Sequence, residues 1–289
     1  MLNLYESVRT SAKFNTLEIG EFLFTEYTCP LPDRHVGVWA HSDYLIHVVS
    51  GTKIWHTTTA KWTATAGQSL FFKKGAAIVE QDFSEEFCLF LFFVPDDFVR
   101  EVVAELDQAT KVVNPNLSSA PAIRVEDDVP LSSFYQSMMA YFTGDEKPAE
   151  PMLRVKMREL ITGILTSRRN QELADYLRGQ STGESSSIAA IMEENFRYNL
   201  PLEDFANLCH RSLSSFKRDF RKHYDASPGR WLLARRLERA AVQLKTSDAG
   251  VSQIAFDCGF EDLSHFSKAF KKQHGVSPSG YRDISLSGV

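Results

Sequence analysis

The stretch of sequence that decides the fold lies near the C-terminus, where residues 254–282 read IAFDCGFEDLSHFSKAFKKQHGVSPSGYR. Phe266 and Phe270 are four residues apart, a spacing that places both on one face of a helix. The opposite face is polar and basic, with Ser267, Lys268, Lys271 and Lys272. The segment therefore predicts a short helix, a tight turn and a second helix with one buried and one basic face.

The same pattern occurs about 50 residues earlier. Residues 202–206 match residues 251–255, Phe216 and Phe220 repeat the four-residue spacing, and Ser227-Pro228 matches Ser277-Pro278. A basic helix face is often only solvated. Two such faces at matched positions favour a pair of recognition helices, whose first turns meet base edges and whose basic ends meet phosphates.

The residues between the two copies, 229–245, read GRWLLARRLERAAVQLK and contain strong helix formers with no proline. They predict one long connecting helix. A stiff connector would fix the spacing of the recognition helices, and two insertions into the major groove on one face of DNA lie about 34 Å apart.

Residues 188–289 resemble the DNA-binding domain of the AraC/XylS family of transcription regulators. Ile254–Arg282 follows the family signature almost position by position, and Arg236-Leu237 in the connector also matches. The first copy departs from the pattern, because His210 and Arg211 stand where glycine and an apolar residue are common.

The resemblance implies binding to double-stranded DNA through both recognition helices. Lysine and arginine favour guanine edges, and serine is permissive. The positions implied to face bases are Ser214, Lys217, Arg218, Ser264, His265, Ser267 and Lys268. The positions expected at the DNA backbone are Arg221, Lys222, Lys271 and Lys272.

The fold class expected for the whole chain is α+β. Short β-rich segments between residues 20 and 95 predict a small barrel or sandwich, compatible with the cupin-like barrel common in the family. They are Phe22–Tyr27, Tyr44–Val49, Thr52–Thr57, Gln68–Phe72 and Phe87–Val94, with a hairpin suggested at Ser50-Gly51. Helices are predicted at Asp96–Ala109, Leu131–Phe142 and Met152–Ser167.

The predicted domains are a regulatory and dimerisation domain at 1–177, a Gly/Ser-rich linker at 178–187, and the DNA-binding domain at 188–289. The net charge of -5 divides unevenly: residues 188–289 carry +3 and residues 1–187 carry -8. A basic segment joined to an acidic one is typical of a DNA-reading module attached to a domain with another task.

Composition predicts a cytoplasmic protein. No run of 18 apolar residues and no secretory signal is visible, and none of the four cysteines forms a CxxC pair. The cysteines are therefore interpreted as reduced thiols, with Cys209 and Cys258 as small buried turn residues.

Two features of the N-terminal domain allow two interpretations each. The aromatic residues Trp39, Tyr44, Trp55 and Trp62 could line a ligand pocket or form plain core. The apolar stripe along residues 153–165 could form a dimer interface or pack on the domain's own core.

No metal or cofactor is predicted. Metal-binding cupins use a His-x-His pair, whereas His35, His41, His47 and His56 occur singly. The chain is therefore predicted to have no enzymatic activity. The alternative hypothesis is a metal-dependent cupin-type enzyme fused to a DNA-binding domain.

The predicted function is a sequence-specific DNA-binding regulator, an activator by resemblance. Its N-terminal domain would receive a small-molecule effector or a regulatory protein. The other partners considered are a second copy of the chain in a homodimer and RNA polymerase, and no membrane is expected.

Overall fold

A computed structural model describes residues 1–28, 33–81, 86–106, 120–144, 147–181 and 188–287. The chain separates into two compact units, Met1–Ser185 and Ser186–Val289. Among the described residues, no helix is both long and apolar enough to cross a bilayer.

The first unit contains two β-sheets. Sheet A has the strand order β1-β4-β9-β6-β7, and sheet B has the order β11-β8-β5-β10-β3-β2. The strands are β1 (Leu2–Asn3), β2 (Asn15–Ile19), β3 (Phe22–Tyr27), β4 (His35–Ala40), β5 (Asp43–Ser50), β6 (Thr52–His56), β7 (Lys61–Thr65), β8 (Ser69–Phe72), β9 (Gly75–Gln81), β10 (Cys88–Val94) and β11 (Ala122–Val125).

Sheet B is the middle of three layers, between sheet A and a group of helices. Strand β10 shows why, because its residues are almost continuously apolar and side chains alternate between the two faces of a strand. Leu89, Leu91 and Phe93 pack in the core shared with sheet A. Phe90 and Phe92 pack in the core shared with the helices. A strand buried on both faces is expected to be apolar throughout.

The α+β class with a β-rich N-terminal and a helical C-terminal unit is confirmed, and all five predicted strands are present. In the part of the unit that the structure describes, the strands form two separate sheets and not a closed barrel. The hairpin predicted at Ser50-Gly51 is wrong: β5 pairs with β8 and β10, while β6 pairs with β7 and β9. The chain crosses from sheet B to sheet A at Gly51, whose φ is 77°.

The helices of the first unit are α1 (Leu4–Thr10), α2 (Asp96–Leu106), α3 (Val129–Thr143), α4 (Glu150–Thr166) and α5 (Gln171–Ser181). The three predicted helices correspond to α2, α3 and α4, and residues 107–109 lie outside the described residues. The predicted linker is partly wrong, since Arg178 lies within α5; residues 182–187 lie outside the described residues. The apolar stripe of α4 is buried in the core beneath sheet B, which favours the core interpretation.

The second unit is entirely helical in its described part. Its helices are α6 (Ile188–Asn195), α7 (Leu202–Leu208), α8 (Leu213–Tyr224), α9 (Pro228–Thr246), α10 (Val251–Asp257), α11 (Leu263–His274) and α12 (Pro278–Ser287). The predicted connector is confirmed as α9, one continuous helix of 19 residues. At 1.5 Å per residue it is about 28 Å long.

Candidate nucleic-acid interface

Two helices, α8 and α11, present matching faces. Each begins at a capped residue: the Ser212 hydroxyl accepts from the Ser215 N–H (3.3 Å), and the Asp262 carboxylate accepts from the Ser264 N–H (2.7 Å). Phe216 and Phe220 of α8, like Phe266 and Phe270 of α11, are fully buried. Burial of one face leaves the polar face of each helix toward solvent.

All but one of the sequence-predicted contact residues are exposed. Ser267 is half-buried, and the others are Ser214, Lys217, Arg218, Arg221 and Lys222 on α8 and Ser264, His265, Lys268, Lys271 and Lys272 on α11. The fold thus gathers them on two helix faces of one compact unit. Their contacts with DNA stay a prediction.

The turns that precede the two helices have the same hydrogen bonds. In the first, the His210 N–H bonds to Asn207 O (2.9 Å) and the Arg211 N–H to Ala206 O (2.9 Å). In the second, the Gly259 N–H bonds to Phe256 O (2.9 Å) and the next amide to Ala255 O (3.0 Å). His210 adopts a left-handed φ of 51°, and Gly259 a φ of 86°. The first turn therefore keeps the geometry of the second, although its sequence departs from the family pattern.

The predicted turn cysteines occupy equivalent positions. Cys209 follows α7, Cys258 follows α10, and both are buried thiols that belong to no disulfide. Burial raises the pKa of Cys258 to about 11, so this thiol is protonated at neutral pH. The interpretation of both as small turn residues is confirmed.

A half-buried arginine fastens the second helix-turn-helix to the connector. Arg236 on α9 donates to Phe196 O (2.7 Å), Tyr198 O (2.8 Å) and Gly259 O (3.1 Å). These carbonyls lie beyond the end of α6 and in the second turn, where no helical partner is available to them. Arg236 therefore holds three segments in register and positions α11.

The two recognition helices differ at Asp219, the one acidic residue on either of them. Asp219 on α8 accepts from Arg218 Nε (3.1 Å) and also pairs with Arg211. Partial burial raises the pKa of Asp219, but the hydrogen bond and the charges of Arg218 and Arg211 outweigh it and lower the pKa. The matching residue on α11 is Ala269. The Arg218 side chain is thus oriented by a carboxylate, whereas its counterpart Lys268 has alanine next to it in the chain.

Comparisons with known proteins agree with this geometry. A family model described as a helix-turn-helix domain matches residues 205–284, and one described as the ExsA N-terminal regulatory domain matches residues 43–176. The virulence regulon transcriptional activator VirF of Yersinia enterocolitica is 22% identical over 241 residues, covering 83% of this chain and 89% of that protein. The chain belongs to the AraC/XylS family of transcription regulators.

Another relative in the AraC/XylS family, the regulator ExsA of Pseudomonas aeruginosa, is 30% identical over 133 residues, covering 46% of this chain and 48% of that protein. Among solved structures, ToxT from Vibrio cholerae is 12% identical with a TM-score of 0.39, covering 91% of this chain and 98% of that one. The chain is an AraC-type DNA-binding regulator with an N-terminal regulatory domain.

The described side chains of the regulatory domain fill most of the space between its two sheets. A cavity of about 30 Å³ between the sheets has room for roughly two water molecules. Tyr44 and Trp55, two of the four predicted pocket residues, line it, while Trp39 and Trp62 are not among its lining residues. The buried Lys53 ammonium also lines it, 4.3 Å from the centre of the Tyr27 ring.

A buried polar network joins sheet B to the helices. The Asp43 carboxylate accepts from the Tyr176 hydroxyl on α5 (2.8 Å) and from the Lys74 backbone N–H (2.8 Å). The Lys74 ammonium pairs with Asp96 at the start of α2 (2.8 Å). Burial raises the pKa of Asp43 to about 6, although the positive charge of Lys74 acts to lower it.

The four histidines of the regulatory domain separate into different surroundings. His41 packs edge-on against the Tyr5 ring. The His47 ring is stacked on that of Tyr135, with 3.8 Å between the ring centres, and its Nδ1 is hydrogen-bonded to Ser69 Oγ (2.9 Å). His35 and His56 instead lie beside Glu80. Sequence spacing missed this cluster and the Asp43 network, because each depends on residues brought together from separate elements. The role of Asp219 was also missed, although its partners Arg211 and Arg218 are near it in the chain.

Proposed function

We propose that α8 and α11 insert into successive major-groove segments of one DNA site, with the base-facing and backbone-facing residues predicted from the sequence. The observation that carries the proposal is the pair of exposed basic faces, each set by the same turn and joined through one continuous helix. One chain would then read two adjacent groove segments.

The test compares Lys268→Ala with Lys271→Ala in the full chain, on a duplex selected by the protein and on a random duplex. Lys268→Ala is expected to weaken binding to the selected duplex by roughly 10- to 100-fold and to relax its base preference. Lys271→Ala is expected to weaken binding to both duplexes alike. It should also reduce the slope of log affinity against log salt concentration by about one, the effect of losing one phosphate contact. An affinity of the unsubstituted chain that does not change with salt would contradict the proposal.

We propose further that the protein acts in the cytoplasm as an activator that contacts RNA polymerase. Support comes from the relative VirF, which is named a transcriptional activator. Reconstituted transcription with purified RNA polymerase, from a promoter that carries the selected site, is expected to increase when the protein is added. A decrease in transcription would instead identify the protein as a repressor.

Of the two inputs considered, the filled interior supports a regulatory protein over a small molecule. Drug-sized ligands occupy pockets of about 300–1,000 Å³, which is far larger than the 30 Å³ cavity. Native mass spectrometry of the purified chain is expected to give the polypeptide mass alone, and a stoichiometric organic adduct would favour the small molecule.

Two observations support a chain with no enzymatic activity. The relatives' names describe transcription regulators, and His41 and His47 pack against different aromatic rings. The cupin-type enzyme would need a metal inside the domain. A bound metal that is lost on His41→Ala or His47→Ala would favour that alternative.

A further inference from the structure

The outer surface of sheet A carries two histidines and a glutamate on three adjacent strands. His35 of β4 lies directly opposite Glu80 of β9 in the strand register. Glu80 in turn lies opposite Ile54 of β6, and His56 is two residues further along that strand. Because side chains alternate between faces, all three point to the same side of the sheet.

The donor atoms of the three side chains already lie close together. His56 Nε2 is 2.8 Å from Glu80 Oε2, and His35 Nε2 is 3.8 Å from Glu80 Oε1. All three donor atoms lie within 4.8 Å of one another. Zinc ligands at about 2.0–2.2 Å in tetrahedral geometry are separated by about 3.3 Å. Small side-chain rotations therefore bring the cluster to zinc geometry without moving the strands.

The strands beneath the cluster are fixed by the core. The alternate residues on the opposite face, Val79 and Trp55, are 5% and 3% exposed and pack against sheet B. The ligand side chains remain open to solvent, with exposed fractions of 17% for Glu80, 35% for His56 and 54% for His35. A site of this kind is preorganised at its backbone and accessible to an ion.

The present neighbours of Glu80 can give way to a cation. The Arg34 guanidinium, 69% exposed, reaches Glu80 Oε1 at 3.3 Å and can turn out to solvent. Two imidazoles and one carboxylate are a donor set suited to zinc, with water completing four-fold coordination.

We propose that His35, His56 and Glu80 bind one zinc ion that clamps β4, β9 and β6 together on the outer face of sheet A. The site faces away from the cavity lined by Val79 and Trp55, where a cupin-type catalytic metal would lie. The clamp stabilises the regulatory unit and is independent of DNA reading by α8 and α11.

The first experiment measures zinc binding to the full chain, without an affinity tag and stripped of metal, by calorimetric titration. One zinc ion per chain is expected. His35→Ala and Glu80→Gln are each expected to lower the affinity roughly tenfold or more, by analogy with the loss of single supporting groups at metal sites. The matched control is His223→Ala, an exposed histidine on α8, which is expected to bind zinc like the unsubstituted chain.

The second experiment measures thermal unfolding with and without zinc. Zinc is expected to raise the midpoint of the unsubstituted chain and of His223→Ala, and to leave that of Glu80→Gln unchanged. His35 is exposed, so its replacement by alanine keeps the test valid if Glu80→Gln misfolds. Three outcomes would overturn the proposal. They are no zinc binding by the unsubstituted chain, unchanged binding by both His35→Ala and Glu80→Gln, and a loss of binding only in His41→Ala or His47→Ala.

Discussion

The two turns of the DNA-binding unit carry different residues at their left-handed position. Gly259 has a left-handed backbone, and a Cβ there would lie 2.4 Å from Arg197 O, so only glycine fits. His210 takes the left-handed conformation with a side chain present, at a cost that glycine would avoid. The first turn is thus built like the second but is strained at one position.

His210→Gly is expected to stabilise the first helix-turn-helix by about 0.5–1 kcal/mol, since the relief of left-handed strain exceeds the entropy that glycine loses. Gly259→Ala is expected to destabilise the second by about 2–4 kcal/mol through strain and the backbone clash. Hydrogen–deuterium exchange of the full chain, followed at α8 and α11, measures both. Faster exchange at α8 in His210→Gly would contradict the conclusion that His210 is strained.

Asp219 orients Arg218, and its removal is expected to change specificity more than affinity. Asp219→Ala, which copies Ala269, frees the Arg218 guanidinium and removes a negative charge next to the DNA. Affinity for a random duplex should rise, and the ratio of selected to random affinity should fall roughly five- to tenfold. Asp248→Ala, an exposed acidic residue in the loop after α9, is the control. An unchanged ratio would show that Asp219 has no orienting role.

At the scale of elements, the buried Asp43 and the half-buried His47 of β5 respond to pH in opposite directions. Asp43 has a pKa of about 6 in the folded unit against 3.8 as a free group, so its contribution to stability is lost as pH rises from about 4 to 6. Burial lowers the pKa of His47 to about 4 from 6.5, so its contribution is lost as pH falls through the same range. The two effects offset each other in the unsubstituted protein.

Asp43→Asn is expected to remove the contribution of Asp43 and to leave that of His47 without its offset. The variant's free energy of unfolding, relative to that of the unsubstituted chain, should rise by roughly 2–3 kcal/mol between pH 4 and 6.5. Urea unfolding followed by tryptophan fluorescence measures it, in a Trp231→Phe background so that the signal comes from the first unit. A difference that stays constant with pH would mean that Asp43 keeps an ordinary pKa.

At the scale of the whole molecule, homodimerisation stays a proposal. The predicted stripe of α4 is buried, but Met152 and Val155, three residues apart on the same helix, are 39% and 56% exposed. Exposed apolar side chains on one helix face suit a two-fold contact. Sedimentation equilibrium is expected to give a dimer for the full chain and a monomer for Val155→Glu. Val129→Glu, which replaces another exposed valine, should remain dimeric, and a monomeric unsubstituted chain would refute the proposal.

Local pattern was enough to predict the DNA-binding unit, four of the six strands of sheet B and β6 of sheet A; β2 and β11 of sheet B were not predicted. The repeat of Phe216/Phe220 and Phe266/Phe270 encodes helix faces directly, because helical periodicity depends only on near neighbours in the chain. The apolar run of β10 likewise identifies a buried strand. The strand partners were not readable, and the hairpin expected at Ser50-Gly51 failed because adjacent strands there belong to different sheets.

The sequence by itself determined the two helix-turn-helix units, their basic faces and the family. Only the tertiary structure decided that His35, His56 and Glu80 meet, that Asp43 is buried beside Tyr176, and that the stripe of α4 is core. The physical reason is distance along the chain. Helix faces follow from side chains three and four residues apart, whereas these clusters depend on which strands pair and on how the layers stack.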